Sequence, residues 1–135
     1  MTSTKSLTSI AEFYKTDKYE HGYTKIYEKY FDSLRDKKLQ ILEIGIADGK
    51  SLLTWSEYFK NSTIIGIDIH KIDLIEKNLD RTNIKVHQGS QSDENFIKEI
   101  TNKYGNFDII IDDGSHLTKD VIKSFHLLFP HLNND

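Results

Sequence analysis

Two carboxylates and an imidazole stand close together in the stretch Asp112-Asp113-Gly114-Ser115-His116. A carboxylate such as that of Asp113 can ligate a hard cation such as Mg²⁺. An imidazole titrates near neutral pH, so His116 can act as a general base. A turn with a solvated histidine is the plainer interpretation of the same residues. Because the stretch directly follows an apolar, strand-like run, we favour the catalytic interpretation.

A second candidate group follows an earlier apolar run and has the form E-x-G-x-x-x-G, with Glu43, Gly45 and Gly49. The two glycines let the backbone turn tightly and let a ligand come close. The spacing differs from the G-x-G-x-x-G fingerprint of dinucleotide sites, and Asp48 would repel a phosphate. The pattern therefore favours a ligand that contains adenosine but no pyrophosphate. A plain tight turn between a strand and a helix is the alternative.

Polar residues also follow two further apolar runs. Asp68 ends the second run, where an acidic side chain can accept hydrogen bonds from both ribose hydroxyls of a nucleoside. Gln91 and Ser92 follow the third run, where short polar side chains can bond the edge of adenine. The alternative for all three is a role in loops and helix caps.

Alternating strand and helix patterns must position these residues. Strands are predicted at 39–46, 63–69, 84–87 and 107–112, and helices at 51–60, 73–80, 92–104 and 119–129. Nearly continuous Ile, Val and Leu in the strands is typical of a parallel sheet covered on both faces. We expect Ser92 to cap the third helix and Phe125 to lie in the core. Ligands of such sheets bind beyond the carboxyl ends of the strands, where the candidate residues lie.

The first part of the chain has a different residue pattern. Residues 1–38 hold no strand-like run, and apolar residues at helical spacing predict a helix at 24–36. A shorter helical turn is expected at 10–14. The sequence thus divides into an N-terminal helical segment, 1–38, and an α/β domain, 39–135.

The composition excludes several classes of protein. The 135 residues are 37% hydrophobic and 29% charged, which is typical of a soluble globular domain. The sequence contains no cysteine, which excludes disulfide scaffolds, thiolate metal sites and a cysteine nucleophile. A net charge of -3 argues against nucleic acid as a partner. Without a signal-like stretch or a long apolar run, we expect a cytoplasmic protein with no membrane partner.

Together the motifs resemble those of class I S-adenosylmethionine-dependent methyltransferases. The residues that carry the resemblance are Glu43-Ile44-Gly45 to Gly49, Gly66-Ile67-Asp68 and Ile111-Asp112-Asp113-Gly114-Ser115-His116. More narrowly, they are similar to the metal-dependent sugar O-methyltransferases of the macrocin and mycinose group. The resemblance implies a Rossmann-like, doubly wound parallel sheet with strand order 3-2-1-4.

Carried onto this sequence, the resemblance implies a pocket at the strand ends that is closed by a segment near the N-terminus. The expected cofactor-binding residues are Thr16, Asp17, Lys18, Glu43, Gly45, Gly49, Asp68, Gln91, Ser92 and Asp112. Among them, Asp68 would hold the ribose and Asp112 would lie near the sulfonium. Asp113 would bind Mg²⁺, and His116 would take the proton from a sugar hydroxyl.

The resemblance therefore implies an S-adenosylmethionine-dependent O-methyltransferase that acts on a sugar or glycosylated small molecule, assisted by Mg²⁺. We also expect a homo-oligomer. In that family further metal ligands follow the next strand, and this sequence reaches Asp135 before it. We therefore expect a domain truncated before the fifth strand, with the edge of the fourth strand covered by a partner chain or the N-terminal helix. A non-catalytic cofactor-binding or assembly module and a nicotinamide-dependent oxidoreductase are the alternatives.

Overall fold

The computed structural model describes residues 5–15, 23–47, 49–70, 83–114 and 117–133. The predicted helix at 73–80 lies outside these residues. The helices are α1 (Leu7–Tyr14), α2 (Tyr23–Phe31), α3 (Lys50–Tyr58), α4 (Glu94–Tyr104) and α5 (Thr118–Leu128). The strands are β1 (Gln40–Ile44), β2 (Thr63–Asp68), β3 (Ile84–Gln88) and β4 (Ile109–Asp112). Short 3₁₀ turns follow α2 and α5, at Asp32–Leu34 and Phe129–His131. No helix within the described ranges has the length and apolar character that a membrane span requires.

The four strands form a parallel sheet in the order β3-β2-β1-β4, which confirms the predicted architecture. The register sets Ile44 of β1 opposite Ile67 of β2 and Asp112 of β4. Asp68 of β2 lies opposite Gln88 of β3. The carboxyl ends of the strands therefore meet at one edge of the sheet, and the loops with the candidate residues start there.

Apolar side chains cover both faces of the sheet, as nearly continuous apolar strands require. On one face, α1 and α3 pack against Ile41, Ile64 and Ile109, with Trp55 and Phe59 fully buried. The second face carries an apolar cluster from β1, β2, α4 and α5, which also includes Phe107. Its members are Leu42, Ile44, Ile65, Ile67, Ile97, Ile100, Phe107 and Leu128.

The N-terminal helices pack on the face of the sheet that α3 covers. Leu7, Ile10 and Ala11 of α1 have no exposed surface, and the backbone N–H of Leu7 donates to Glu28 Oε1 of α2 at 2.9 Å. The main packing partners of α1 are α3 and α2. The division of the chain at residue 38 stays a prediction.

The stretch just before β4 meets the residues that follow α5. Phe107 and Leu132 form a parallel bridge, in which the Phe107 N–H donates to His131 O at 2.7 Å. The Asn133 N–H in turn donates to Phe107 O at 2.8 Å. The segment around Leu132 therefore lies beside the stretch just before β4, and the cover of the edge of β4 itself, by a partner chain or by the N-terminal helix, stays a prediction.

Two expectations about helices are wrong. The cap of α4 is Asp93 rather than Ser92, since the Asp93 carboxylate accepts from the backbone N–H of Asn95 and Phe96. Asp93 has the extended backbone that an N-cap needs, and the helix begins at Glu94. Phe125 is 58% exposed, because α5 turns Ser124 and Leu128 toward the sheet instead.

Candidate active site

The turn after β1 is tight, as its glycines predict. Gly45 and Gly49 have positive φ angles of 82° and 85°, which glycine adopts without a steric penalty. Ala47 between them also has a positive φ, of 47°, which is uncommon for a residue with a side chain. The turn is tied to the sheet by the Gly45 N–H, which donates to Ile67 O at 2.8 Å.

Gly45 lies against the backbone of the loop that follows β4. A Cβ atom at this position would lie 2.6 Å from the carbonyl carbon of Asp113 and 2.5 Å from Gly114 Cα. Because real Cβ atoms essentially never come so close, only glycine fits here. At Gly45 the chain itself comes this close, and an approach of a ligand to Gly45 or Gly49 stays a prediction. The turn after β1 and the loop after β4 form one backbone frame.

Glu43 links β1 to α3 through hydrogen bonds beneath the glycine turn. Its side chain is fully buried, and its Oε2 accepts from Ser51 Oγ at 2.7 Å and from Trp55 Nε1 at 3.1 Å. A buried carboxylate is tolerated only when it is hydrogen-bonded in this way. Glu43 therefore holds the first turns of α3 in place, and its contribution to a cofactor pocket stays a prediction.

Asp68 holds two loops through backbone amides. Its Oδ2 accepts from the N–H of Ile46 at 2.9 Å and of Ala47 at 3.2 Å, and its Oδ1 accepts from the His70 N–H at 2.9 Å. The side chain is 7% exposed. These contacts use three of the about four acceptor positions of a carboxylate. Asp68 thus shapes the glycine turn and keeps acceptor capacity on Oδ1 for a further donor.

The loop between β3 and α4 contributes a buried amide. Gln91 is 6% exposed, and its Nε2 donates to the Asp112 carboxylate at 3.2 and 3.4 Å and to Ser124 Oγ at 3.0 Å. The hydroxyl of Ser92 lies 3.0 Å from that of Ser90. Gln91 therefore joins the ends of β3 and β4 to α5, and a contact of Gln91 or Ser92 with adenine stays a prediction.

Two exposed carboxylates lie at the end of β4. Both Asp112 and Asp113 are exposed, and the Asp113 N–H donates to Ile44 O at 2.8 Å. The Asp112 Oδ1 also accepts from the Gly114 N–H at 3.2 Å. Oxygen donors of this kind suit Mg²⁺. Over the part of the chain that the structure describes, no three His, Asp or Glu side chains converge as a metal-binding group.

The structure thus brings most predicted site residues to one edge of the sheet. These are Glu43, Gly45, Gly49, Asp68, Gln91, Ser92, Asp112 and Asp113. The predicted Thr16, Asp17, Lys18 and His116 lie outside the described residues. Sequence reasoning missed Ser124, whose hydroxyl contacts both Gln91 and Asp112. The available signal was a serine one helical turn before the apolar Leu128, on the same face of α5.

The model of the FtsJ-like methyltransferase family matches residues 21–134. The chain belongs to this family. Among curated proteins, this FtsJ-like methyltransferase chain is 36% identical to mycinamicin VI 2''-O-methyltransferase of Micromonospora griseorubida, over 93% of the chain and 33% of that relative. It is also 36% identical to demethylmacrocin O-methyltransferase of Streptomyces fradiae, with the same two coverages of 93% and 33%. The chain therefore spans about a third of the length of these relatives.

A solved structure has the same fold. It is the MycE methyltransferase from the mycinamycin biosynthetic pathway in complex with Mg, SAH and mycinamycin VI. The TM-score is 0.87 at 34% identity, and the match covers 98% of this FtsJ-like chain and 37% of the MycE chain. The four-stranded sheet and its helices are thus a methyltransferase architecture.

Proposed function

We propose that the chain forms the cofactor-binding part of an S-adenosylmethionine-dependent O-methyltransferase that methylates a sugar hydroxyl. The observation that carries the proposal is the backbone frame of the glycine turn and the Asp112–Gly114 loop. The frame sets Asp68, Asp112 and Asp113 at the carboxyl edge of a parallel sheet, the ligand-binding place of such folds. A relative of the same fold was solved with SAH bound, which supports this cofactor.

The described residues fit an adenosine ligand with a positively charged sulfur. The remaining acceptor capacity of Asp68 Oδ1 suits a ribose hydroxyl, which is a donor. The glycine turn offers no cradle for a pyrophosphate, and no pyrophosphate is present in S-adenosylmethionine. The exposed carboxylate of Asp112 would supply negative charge toward the sulfonium of a bound cofactor. When bound, the cofactor supplies an activated methyl group.

The donor chemistry at the end of β4 also fits Mg²⁺. This ion keeps several water ligands and takes few protein carboxylates, so the exposed Asp113 carboxylate would serve as one of its protein ligands. A bound Mg²⁺ would lower the pKa of an acceptor hydroxyl. The relative solved with Mg supports this assignment.

His116 is the proposed general base. Its imidazole accepts the proton of the sugar hydroxyl while the hydroxyl oxygen forms a bond to the methyl carbon and the bond from that carbon to sulfur breaks. The electron pair of the broken bond stays on sulfur, which becomes a neutral thioether. The protein otherwise aligns the reacting atoms, which is a large part of catalysis in such displacements.

The proposed acceptor is a sugar on a glycosylated small molecule. The curated relatives are named for methylation of mycinamicin VI and demethylmacrocin, which supports this class of acceptor. We further propose a cytoplasmic homo-oligomer with no nucleic acid or membrane partner. The net charge of -3 supports the absence of a nucleic acid partner, and the absence of cysteine supports the cytoplasmic location. The relatives lend no support to an oxidoreductase or a non-catalytic module.

Isothermal titration of the full-length protein with S-adenosylhomocysteine tests the cofactor. We expect saturable binding, and a fluorescence titration with NADH should show none. Binding of NADH alone would overturn the proposal in favour of an oxidoreductase.

His116→Ala tests the base. We expect turnover to fall by about 10² to 10⁴, the usual contribution of a general base, with unchanged affinity for S-adenosylhomocysteine. The matched control is His126→Ala, which removes an exposed histidine of α5 and should leave turnover unchanged. Full turnover by His116→Ala would refute the assigned role. Cofactor binding without turnover in the wild type would point to a non-catalytic module.

A further inference from the structure

Ser124 is a buried serine in the middle of α5 whose hydroxyl is aimed at the candidate site. It is 1% exposed, and its Oγ lies 3.3 Å from Asp112 Oδ2 and 3.1 Å from Val121 O. A hydroxyl has one hydrogen and two acceptor lone pairs. The hydrogen therefore points to one of these two oxygens, and a lone pair accepts from Gln91 Nε2 at 3.0 Å.

The amide of Gln91 completes a triangle with Ser124 and Asp112. An amide nitrogen carries two hydrogens, and the described acceptors are the Asp112 carboxylate and Ser124 Oγ. Both hydrogens are thus used within the network. Because Gln91 is itself 6% exposed, water has little access to compete for these bonds. The contacts of the buried Gln91 and Ser124 side chains thus fix the orientation of the exposed Asp112 carboxylate.

Gly114 shows how closely the triangle and the loop fit. A Cβ atom on Gly114 would overlap Gln91 Oε1 and would lie 2.8 Å from Ile44 Cγ2. The Gly114 N–H donates to Asp112 Oδ1 at 3.2 Å, and the Asp113 N–H donates to Ile44 O at 2.8 Å. The loop therefore packs against the Gln91 amide on one side and hydrogen-bonds to β1 on the other.

We propose that Ser124 and Gln91 are positioning residues that act through Asp112. They set the direction of its carboxylate and the path of the Asp112–Gly114 backbone without contacting cofactor or substrate themselves. The inference rests on the proposed function, because it gives the loop a role in cofactor binding. It also assigns to Gln91 a task other than the predicted contact with adenine.

The experiment compares Ser124→Ala with Ser56→Ala in the full-length protein. Ser56 is a matched control, since it is 3% exposed, lies on α3 and donates to an amide oxygen, Asn83 Oδ1, at 2.6 Å, away from the loop after β4. Isothermal titration measures the Kd of S-adenosylhomocysteine. Ser124→Ala removes the acceptor of a Gln91 amide hydrogen and the hydroxyl beside the Asp112 carboxylate, which should raise the Kd about tenfold. Ser56→Ala should raise the Kd less than twofold. Equal affinities in the two variants would overturn the proposal.

A second readout needs no ligand, so it separates this inference from the proposed function. Backbone hydrogen exchange of the Asp113 amide should be about tenfold faster in Ser124→Ala and unchanged in Ser56→Ala. Gly114→Ala should accelerate the same amide, because its Cβ displaces the Gln91 side chain. Failure of the wild type to bind S-adenosylhomocysteine would refute the proposed function alone. Unchanged Asp113 exchange in both Ser124→Ala and Gly114→Ala would refute the positioning role.

Discussion

Replacement of Gly45 by alanine is the sharpest test of the backbone frame. The left-handed φ of 82° costs alanine about 1–2 kcal/mol. The new Cβ would lie 2.5 Å from Gly114 Cα, while ordinary contact begins at 3.4 Å, so the Asp113–Gly114 backbone must withdraw by about 1 Å. This shift breaks the 2.8 Å bond from the Asp113 N–H to Ile44 O, worth about 1 kcal/mol. We expect a total loss of about 2–3 kcal/mol.

Gly105→Ala is the matched control. Gly105 also has a positive φ, of 75°, but a Cβ atom there meets nothing within 4 Å. The control therefore carries the cost of the backbone conformation alone, about 1–3 kcal/mol, and leaves the site untouched.

Urea unfolding followed by far-UV circular dichroism measures the stability of both variants, and titration with S-adenosylhomocysteine measures their cofactor affinity. We expect Gly45→Ala to lose cofactor affinity at least tenfold and Gly105→Ala to keep it. If Gly45→Ala binds the cofactor like the wild type, the turn after β1 and the loop after β4 do not form one frame.

Three further predictions concern single side chains. Asp68→Asn should lower the free energy of unfolding by about 1–3 kcal/mol and weaken cofactor binding, because its amide cannot accept all three backbone N–H groups. The control Asp108→Asn, at the opposite edge of the sheet, should lower stability without changing affinity in the titration with S-adenosylhomocysteine. Phe107→Ala should lower the free energy of unfolding in urea by about 3–5 kcal/mol, because the Phe107 side chain has no exposed surface. Phe125→Ala should change it by no more than about 0.5 kcal/mol, because Phe125 is 58% exposed. Burial and the Asp32 carboxylate raise the pKa of Tyr58 above its usual 10.0, so the native state keeps this proton longer than the unfolded state. Stability should therefore fall as the pH rises above 10.0, and Tyr58→Phe should flatten that fall in unfolding curves measured against pH; an equally steep fall in the variant would contradict the assignment.

The sheet was predictable because its strands carry their signal locally. Apolar runs bounded by glycine and polar residues mark β1 to β4, and a parallel sheet then brings their carboxyl ends together by geometry alone. The strand limits were less predictable, because pairing depends on partners. The last predicted strand began at Phe107, but β4 begins at Ile109, since within the described residues Phe107 joins Leu132 in an isolated bridge.

The contacts within the site were not predictable from local pattern. Gln91 and Ser124 are 33 positions apart, and only the packing of α5 brings them together. The buried face of α5 was equally hidden, because apolar residues occur around the whole helix and tertiary packing selects Leu128 over Phe125. For α4, Ser92 and Asp93 are both good cap residues, and the backbone conformation at Asp93 decides between them.

The hydrogen bond from Trp55 to Glu43 makes Trp55 an intrinsic fluorescence probe. Trp55 is the single tryptophan of the sequence, is 1% exposed, and donates from its indole nitrogen to a carboxylate on β1. All indole emission therefore originates from one environment, which lies directly beneath the glycine turn. A change in wavelength reports entry of water into the core, and a change in intensity at constant wavelength reports rearrangement of the Glu43 carboxylate. Folding and events at the turn can thus be followed in the same cuvette without any label.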